Sequence, residues 1–516
     1  MKLRATYRAP DAPRYRAPGG AWDVPVLDSV MRTRPAAGGA AVVDGDRRFD
    51  GGELDDMVAG LAGGLRRLGV RRGDVVAWQM PNWWEALVLY RACWRCGALA
   101  APLHHLFGAA EVQYAVDLLE PKVAFASPAA PLAEREGTIA VRSDGSRFGE
   151  LLAGPPVSSS PNHPADLAVV LFTSGSTGRP KAVLHTQRGL AYKARLMAGV
   201  HGLSASDATL MPAPMAHISG LLNAVLLPGA TAMRAVLMER WDVQRGLDLI
   251  AQERVSYMIG PPTMFMAMME DASFEPAKVA TMRVVSSGMM GVSPEFIEAA
   301  RAGLGAVVKR SYGSTEAPTV SSCTNSDPPE RCRDTDGRAV GDAALRIADP
   351  TTGRWRAAGH EGEVWIRGPE LFAGYADEQD TAAAMHRGWF RSGDLGVMDD
   401  GGWLSITGRI KELIIRGGEN ISSSEVERAL EQHPGIKQAV VVGRPDQRWG
   451  ERVVAFIVGS GAIDPAECRR WFTEHGVARF KTPEVVVHID EVPLLAAGKP
   501  DRALLKERAA AMPVTI

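Results

Sequence analysis

The sequence predicts an α/β protein. A large N-terminal body of several subdomains, with helix-covered mixed sheets and a β-rich subdomain, precedes a small α+β C-terminal domain. Three observations support this prediction. The chain has 516 residues, which corresponds to about three domains of roughly 150 residues each. Helical and strand-like apolar patterns alternate through residues 24–127. Short strands separated by Gly and Asp turns replace this alternation at residues 340–408.

The first elements alternate between helix and strand. Leu54–Leu68 has helical apolar spacing and ends at Gly69, and residues 74–78 form a short apolar strand. Trp83–Cys96 is helical again, and residues 122–126 form the next strand. Because strand and helix alternate, we expect a mostly parallel sheet covered by helices. Further strands are predicted at residues 168–172, 255–260 and 282–286.

The second half of the chain has a different pattern of predicted strands and helices. Strands at 344–347, 362–366 and 402–406 indicate the β-rich subdomain. After Arg409 come apolar strands and two helical patterns, which predict a separate α+β domain of roughly a hundred residues. We therefore predict two domains, 1–408 and 409–516.

Charge and cysteine content disfavour several function classes. Lys and Arg number 58 against 60 Asp and Glu, a net charge of -2, which argues against a general nucleic-acid binder. Five cysteines, an odd number, favour a reducing compartment over a disulfide framework. No apolar run approaches the ~18 residues of a transmembrane helix, and the N-terminus lacks the apolar core of a signal peptide. We expect a cytoplasmic protein.

The strongest chemical signal is the segment 171–181, LFTSGSTGRPK, in which a strand leads into small, hydroxylated and glycine residues and ends in Lys181. Glycines let backbone N–H groups approach phosphate oxygens, hydroxyls add donors, and the lysine adds a positive charge. The Walker A pattern is absent, because Lys181 is preceded by Pro180 and followed by Ala182.

This segment resembles the phosphate-binding signature of the adenylate-forming superfamily, which includes acyl-CoA synthetases, amino-acid adenylation domains and luciferases. Further motifs of that family follow in the expected order, so the resemblance covers nearly the whole chain. They are YGSTE at 312–316, WFRSGDL at 389–395, GRIKELIIRGGENIS at 408–422 and PLLAAGK at 493–499. The resemblance implies ATP, Mg²⁺ and coenzyme A as cofactor and cosubstrates.

The resemblance also implies a role for each matching residue of the N-terminal body. Thr315 would bind the α-phosphate, and Glu316 would bind Mg²⁺ together with Thr173. His217 would lie at the acyl pocket and gate it. The residues expected to hold the phosphates are Thr173, Ser174, Gly175, Ser176, Thr177, Gly178 and Lys181. Those expected to border the adenine are Gly288, Tyr312 and Gly313.

In the last third of the chain the implied roles concern the ribose and the two half-reactions. Asp394 would accept hydrogen bonds from both ribose hydroxyls, and Arg409 would bind ribose and phosphate. Lys411 would be the pivot of a hinge at 409–411 that makes the C-terminal domain mobile. Gly417 and Gly418 would line the tunnel for the pantetheine arm. Lys499 would be the lysine required for adenylation, so the expected catalytic residues are Lys499, Glu316, Thr315 and His217.

The resemblance implies a ligase that activates a hydrophobic carboxylic acid, medium-chain, alicyclic or similar, as acyl-AMP and then transfers it to coenzyme A. Two alternatives stay open: an aromatic acid–CoA ligase, and an acyl-AMP ligase that loads a carrier protein. Amino-acid adenylation is disfavoured because residues 208–238 contain no Asp or Glu to pair with a substrate ammonium. Expected partners are the acid, ATP and CoA, a second copy in a homodimer, and a lysine acetyltransferase acting on Lys499.

Overall fold

A computed structural model describes residues 3–32, 39–142, 147–173, 180–288, 292–416, 419–446, 449–460, 463–475, 477–495 and 499–512. Within these ranges no helix is long and apolar enough to cross a membrane. The five cysteines are free and buried.

Strands and helices alternate through most of the described chain. The strands are β1 Val42–Asp44, β2 Arg47–Phe49, β3 Val75–Gln79, β4 Leu99–Leu103, β5 Val123–Ala126, β6 Ile139–Ala140, β7 Leu167–Thr173, β8 Lys181–Thr186, β9 Ala208–Met211, β10 Arg234–Leu237, β11 Tyr257–Gly260, β12 Val284–Ser287, β13 Val307–Tyr312, β14 Ser321–Ser322, β15 Arg338–Ala339, β16 Ala344–Ala348, β17 Gly362–Arg367, β18 Met385–His386, β19 Trp389–Met398, β20 Leu404–Arg409, β21 Leu413–Arg416, β22 Glu419–Ser422, β23 Ile436–Asp446, β24 Gly450–Gly459 and β25 Val485–His488. The α-helices are α1 Ala12–Arg16, α2 Leu27–Val30, α3 Gly51–Arg67, α4 Trp84–Cys96, α5 Ala109–Leu119, α6 Arg147–Leu152, α7 Gln187–His201, α8 Ile218–Gly220, α9 Leu227–Thr231, α10 Val243–Glu253, α11 Pro262–Glu270, α12 Pro294–Leu304, α13 Pro329–Asp334, α14 Glu378–Ala384, α15 Ser423–Glu431, α16 Pro465–Glu474 and α17 Arg502–Ala511.

The predicted βαβα region forms a sheet with the strand order β6-β5-β3-β4-β7-β8. Its pairs are parallel except β7 with β8, which are antiparallel. Helix α3 begins with a capping box in which Asp50 and Glu53 satisfy each other's backbone N–H groups. Helix α4 is buried along its whole length, and its side chains Tyr90 and Trp94 join the core of this region. The prediction of a largely parallel, helix-covered sheet is confirmed.

A second, larger sheet has the order β15-β14-β13-β12-β11-β9-β10-β1-β2. The strands from β13 to β1 pair in parallel, and antiparallel pairs close both ends. Parallel strands expose their carboxyl ends along one edge, where ligands bind in open α/β sheets. The arrangement therefore places the loops after β9, β11, β12 and β13 beside one another.

The predicted β-rich subdomain is the sheet β16-β17-β19-β18, in which β20 pairs with β19. The C-terminal sheet has the order β22-β21-β24-β23, with β25 beside β24. Strand β23 alternates between two cores: Val441 packs in a cluster with residues of α15 and α16, and Val440 packs in a cluster with residues of α17. This period of two is the pattern expected of a strand with both faces covered.

Two compact units divide the chain. The first comprises Met1–Gly288, Pro294–Leu345 and Ile366–Arg391, and the second comprises Met289–Ser293, Arg346–Trp365 and Ser392–Ile516. We refer to them as unit 1 and unit 2. A large N-terminal body and a small C-terminal domain are thus confirmed, and the domain boundary at residue 408 stays a prediction.

Candidate functional site

Predicted site residues of unit 1 follow the carboxyl ends of neighbouring parallel strands. Strand β12 ends at Ser287 directly before Gly288, and β13 ends at Tyr312 directly before Gly313. His217 lies in the loop that follows β9. The order β13-β12-β11-β9 makes these strands consecutive in the sheet. The fold therefore gathers residues that lie up to about a hundred positions apart in the sequence.

The predicted phosphate loop joins two paired strands. Strand β7 ends at Thr173, β8 begins at Lys181, and these two residues are partners in the antiparallel ladder. The expected phosphate ligands Ser174, Gly175, Ser176, Thr177 and Gly178 lie outside the described residues. What the structure establishes is the position of the two residues at which the loop begins and ends.

Lys181 makes defined contacts next to this loop. Its Nζ donates to Oδ1 of Asp380 over 2.6 Å, and lies 5.0 Å from the ring centroid of Tyr375. About a quarter of the Lys181 side chain is exposed, at 26%. The ammonium is therefore already oriented by one carboxylate and one ring, and it retains access to solvent.

The loop after β13 is a tight turn that requires glycine. A Cβ atom on Gly313 would lie 2.2 Å from the backbone nitrogen of Thr319, so no other residue fits there without moving the backbone. Ser314 and Ala317 close the turn, with a hydrogen bond from Ser314 N–H to the Ala317 carbonyl and one from Ala317 N–H to the Ser314 hydroxyl. Thr315 and Glu316 occupy the tip of this turn.

Three hydrogen bonds from other parts of unit 1 fix the positions of Thr315 and Glu316. Nε2 of His185, on β8, lies 2.7 Å from the Thr315 carbonyl oxygen. The backbone N–H of Phe372 donates to the Glu316 carbonyl over 2.8 Å, and the Tyr375 hydroxyl donates to Glu316 Oε1 over 2.6 Å. A carbonyl only accepts, so the bond assigns the His185 proton to Nε2. Burial lowers the pKa of His185 to about 4, and the bond to Thr315 opposes this shift.

The residues of this turn fit a magnesium ion. Mg²⁺ prefers oxygen ligands and is usually bound by one or two carboxylates, water and substrate phosphates, without a complete protein cage. Glu316 offers a carboxylate that is half-buried, with one oxygen bonded to Tyr375. Among the described residues no group of three or more His, Cys, Asp or Glu could hold a metal ion alone. A single carboxylate acting with phosphate oxygens is therefore the arrangement that the chain offers.

His217 lies in a cluster of imidazoles. Its ring centroid is 4.8 Å from that of His104, which in turn stacks on His105 at 4.7 Å. Burial lowers the pKa of His104 to about 3, helped by repulsion from His217 and His105. His104 and its neighbours follow β4, and sequence reasoning missed them. Two adjacent histidines directly after an apolar strand were the signal that could have revealed them.

The helix that begins after His217 has a π-helical turn at Leu221–Leu226, between α8 and α9. Its side chains are buried in the core of unit 1. The side-chain nitrogen of Asn223 donates a hydrogen bond to the Ser219 carbonyl, and its side-chain oxygen accepts one from the Tyr257 hydroxyl. π-Helical turns are rare in proteins, and those that do occur are often found at functional sites. The environment behind His217 is apolar, as expected.

The predicted site residues of unit 2 also lie together. Nε of Arg409 is 2.9 Å from Oδ1 of Asp394, and these two residues are ladder partners between β19 and β20. Burial of its ammonium group lowers the pKa of Lys499, with repulsion by Arg409 and Lys411 adding to the shift and attraction by Asp394 opposing it. Four residues from three separate motifs, Asp394, Arg409, Lys411 and Lys499, are thus electrostatic neighbours.

The predicted hinge is a single 3₁₀ turn, Ile410–Glu412, between β20 and β21, and Lys411 is exposed within it. Gly417 and Gly418 lie outside the described residues. The preceding residue Arg416 forms two hydrogen bonds to Glu484 and lies 4.7 Å from the Trp449 ring. The side chain of Arg416, on the N-terminal side of the glycine pair, is therefore fixed by Glu484 and Trp449.

Comparison with known proteins decides the family. A model described as AMP-binding enzyme matches residues 31–376, and one described as AMP-binding enzyme C-terminal domain matches residues 425–499. The chain belongs to the AMP-binding enzyme family. The medium-chain fatty-acid–CoA ligase of Escherichia coli is 31% identical to this AMP-binding enzyme, over 98% of the chain and 94% of the relative. The indoleacetate–CoA ligase of Aromatoleum aromaticum is 33% identical over 88% of the chain and 92% of the relative.

Solved structures agree with this assignment. The ATP-bound structure of MatB from Rhodopseudomonas palustris superposes on this AMP-binding enzyme with a TM-score of 0.86 and 26% identity, covering 93% of the chain and 98% of that protein. The chain is an AMP-forming acid–thiol ligase that uses ATP, Mg²⁺ and coenzyme A and proceeds through an acyl-adenylate. The predicted enzyme class and cofactors are confirmed.

Proposed function

We propose that the enzyme activates a hydrophobic carboxylic acid, of medium chain length or alicyclic, and transfers its acyl group to free coenzyme A. The observation that supports this most is the segment from His217 through α9, whose π-helical turn is buried among apolar side chains. No Asp or Glu occurs at 208–238, so this region offers no carboxylate to pair with a positively charged substrate tail. Relatives named for a medium-chain fatty acid and for indoleacetate, both largely apolar, agree with it.

The chemistry consists of two displacements. In the first, an oxygen of the substrate carboxylate attacks the α-phosphorus of ATP, and pyrophosphate leaves with the electron pair of the broken P–O bond. In the second, the thiolate of CoA attacks the carbonyl carbon of the acyl-adenylate, and AMP leaves. Both steps bring like charges together, and a unit-charge pair at 4 Å is worth ~4 kcal/mol at an effective dielectric of 20. Catalysis therefore depends on positioning and on cationic groups.

In unit 1 the turn at 313–316 provides the phosphate-side groups. Thr315 donates its hydroxyl to the α-phosphate, and Tyr312, Gly313 and Gly288 border the adenine. Lys181 and the loop residues Thr173–Gly178 bind the outer phosphates. Glu316 and Thr173 would hold Mg²⁺, which supplies positive charge beside the phosphates when bound. Support comes from the fixed geometry of Glu316 and from the oriented ammonium of Lys181.

In unit 2 the Asp394–Arg409 pair serves the ribose, and Lys499 stabilises the charge that develops in the first displacement. A lysine with a lowered pKa has a less hydrated ammonium, which interacts more strongly with an anion. We further propose that residues 409–516 move about 409–411 between the two displacements, and that Gly417 and Gly418 then admit the pantetheine arm. Support for this movement is that a single 3₁₀ turn, Ile410–Glu412, connects β20 to β21.

A panel of acids tests the substrate class. Octanoate, cyclohexanecarboxylate, benzoate and phenylalanine are compared by pyrophosphate release, with free acyl-CoA measured by mass spectrometry. We expect the highest kcat/KM for octanoate or cyclohexanecarboxylate. Highest activity with benzoate would instead support the aromatic acid–CoA ligase. Pyrophosphate release without any free acyl-CoA would support the ligase that loads a carrier protein.

Three finer expectations belong to the same proposal. A lysine acetyltransferase acting on Lys499 would remove the positive charge that the first displacement requires. A cytoplasmic location agrees with the small number of cysteines, which are free. The homodimer is tested by sedimentation velocity, where a monomer mass at micromolar concentration would contradict it.

A further inference from the structure

The contact between Tyr375 and Glu316 joins two parts of unit 1 that the motifs do not connect. The Tyr375 hydroxyl donates to Oε1 of Glu316 over 2.6 Å, and Tyr375 is buried. A carboxylate oxygen only accepts hydrogen bonds, so the Tyr375 hydroxyl is the donor in this contact.

The backbone around Tyr375 is fixed by backbone hydrogen bonds between residues 373–376 and strand β8. The N–H of Ala373 donates to the Leu184 carbonyl over 2.6 Å, Leu184 N–H donates to the Gly374 carbonyl over 3.0 Å, and Ala376 N–H donates to the Ala182 carbonyl over 2.9 Å. One residue before this strip, Phe372 donates to the carbonyl of Glu316 itself. Segment 372–376 thus binds the main chain of Glu316 and, through Tyr375, its side chain.

The same tyrosine contacts the lysine at the end of the phosphate loop. Its ring centroid lies 5.0 Å from Nζ of Lys181, close enough for a cation–π attraction. One side chain therefore touches both the proposed phosphate lysine and the proposed metal ligand. No motif predicted this, because Tyr375 lies 59 positions from Glu316.

We propose that Tyr375 is a positioning residue that holds the Glu316 carboxylate in the orientation required to bind the divalent cation of the ATP complex. A glutamate side chain has several rotamers, and fixing it before the cation arrives removes the entropic cost of ordering it at that moment. With Oε1 committed to the hydroxyl, Oε2 is presented to the cation. The inference rests on the proposed role of Glu316 as a ligand of Mg²⁺.

The test is direct cation binding by the full-length enzyme. Mn²⁺, a paramagnetic substitute for Mg²⁺, is titrated in the presence of α,β-methylene-ATP, which cannot be cleaved at the α-phosphorus, and bound Mn²⁺ is quantified by EPR spectroscopy. Tyr375→Phe removes only the hydroxyl. We expect its Mn²⁺ affinity to fall about tenfold, as for the loss of one hydrogen bond to a charged group, while kcat at saturating Mg²⁺ changes much less.

Tyr90→Phe is the matched control. Tyr90 is a buried tyrosine of the same unit whose hydroxyl donates to the Met215 carbonyl over 2.7 Å. It loses a comparable hydrogen bond, so thermal unfolding of the two variants should shift similarly. Mn²⁺ affinity should stay at the wild-type value in Tyr90→Phe and should fall in Tyr375→Phe. Equal loss of Mn²⁺ affinity in both variants would reduce Tyr375 to a purely structural role and overturn the inference.

Glu316→Gln separates this inference from the proposed function. If Glu316→Gln loses Mn²⁺ affinity and Tyr375→Phe does not, the positioning role is wrong and the metal role of Glu316 stands. If Glu316→Gln binds Mn²⁺ as the wild type does, the metal role itself is wrong, and the inference falls with it. A double variant that binds no more weakly than Glu316→Gln alone is the result expected when Tyr375 acts through Glu316.

Discussion

His185 donates a hydrogen bond from its Nε2–H to the Thr315 carbonyl, at a distance of 2.7 Å. His185 belongs to β8, the strand that begins at the end of the phosphate loop, and Thr315 belongs to the turn after β13. The bond therefore couples the two segments of unit 1 to which the family resemblance assigns phosphate contacts. Because the imidazole is fully buried, it has no water to replace this partner.

His185→Leu should weaken ATP binding. The substitution leaves the Thr315 carbonyl without its donor, which costs about 1–3 kcal/mol, and the turn that carries Thr315 and Glu316 loses its support. We expect a several-fold rise in the KM for ATP in a pyrophosphate-exchange assay. His488→Leu is the control, because His488 makes the same kind of bond to the Ile463 carbonyl in unit 2. An unchanged KM in His185→Leu would show that the bond does not orient the turn.

Acidification should destabilise the protein through its buried histidines. Burial lowers the pKa of His185 to about 4 and that of His104 to about 3. In the unfolded chain these groups titrate near 6.5, so between pH 6.5 and about 4 the unfolded chain binds protons that the folded protein does not. The free energy of unfolding therefore falls as the pH falls through this window. Urea unfolding of the wild type and of His185→Leu measures it, and the variant should show the shallower slope.

Lys499→Ala should separate the two half-reactions. Removing one group that stabilises charge in the transition state should lower adenylation, followed by pyrophosphate exchange, by roughly 10²–10³-fold. Thioester formation from preformed acyl-AMP and CoA should change much less. Lys506→Ala, a lysine of α17 in the same unit, is a control for the loss of charge. An equal fall in both half-reactions would mean that Lys499 is not assigned to the first step.

Lys411→Pro should impair the second half-reaction more than the first. Proline fixes φ near −65° and removes the backbone N–H, so the 3₁₀ turn at 410–412 loses conformational freedom. We expect pyrophosphate exchange to persist and acyl-CoA formation to fall. Lys411→Ala removes the charge without restricting φ and should retain both activities. Parallel loss of both activities in Lys411→Pro would indicate misfolding, and a fully active Lys411→Pro would contradict the hinge.

Several elements could be read directly from the sequence. Continuous apolar runs identified β3 and β7, and helical spacing identified α3 and α4 to within a few residues. Strand β8 and the π-helical turn were missed. The apolar run of β8 is only residues 182–184, because Lys181 precedes it and His185 follows it. The spacing of apolar residues cannot distinguish one π turn from the α-helix around it.

The site was predictable in part for a related physical reason. Chemistry that lies within one loop, such as YGSTE at 312–316, leaves a local pattern. Contacts such as Tyr375 with Glu316 and His185 with Thr315 join residues 59 and 130 positions apart, and they depend on which strands pair. A single tyrosine in a connecting segment, such as Tyr375, or a single histidine in a strand, such as His185, leaves no local signal of a partner so distant in sequence.

Isotope transfer tests the acyl-adenylate route most directly. The enzyme is incubated with Mg²⁺, ATP, CoA and octanoate whose carboxylate carries ¹⁸O at both oxygens, and the AMP and thioester are analysed by mass spectrometry. If the carboxylate attacks the α-phosphorus, AMP gains one ¹⁸O and octanoyl-CoA retains one. AMP without ¹⁸O, or ¹⁸O in inorganic phosphate, would contradict adenylate formation and point to attack at another phosphorus.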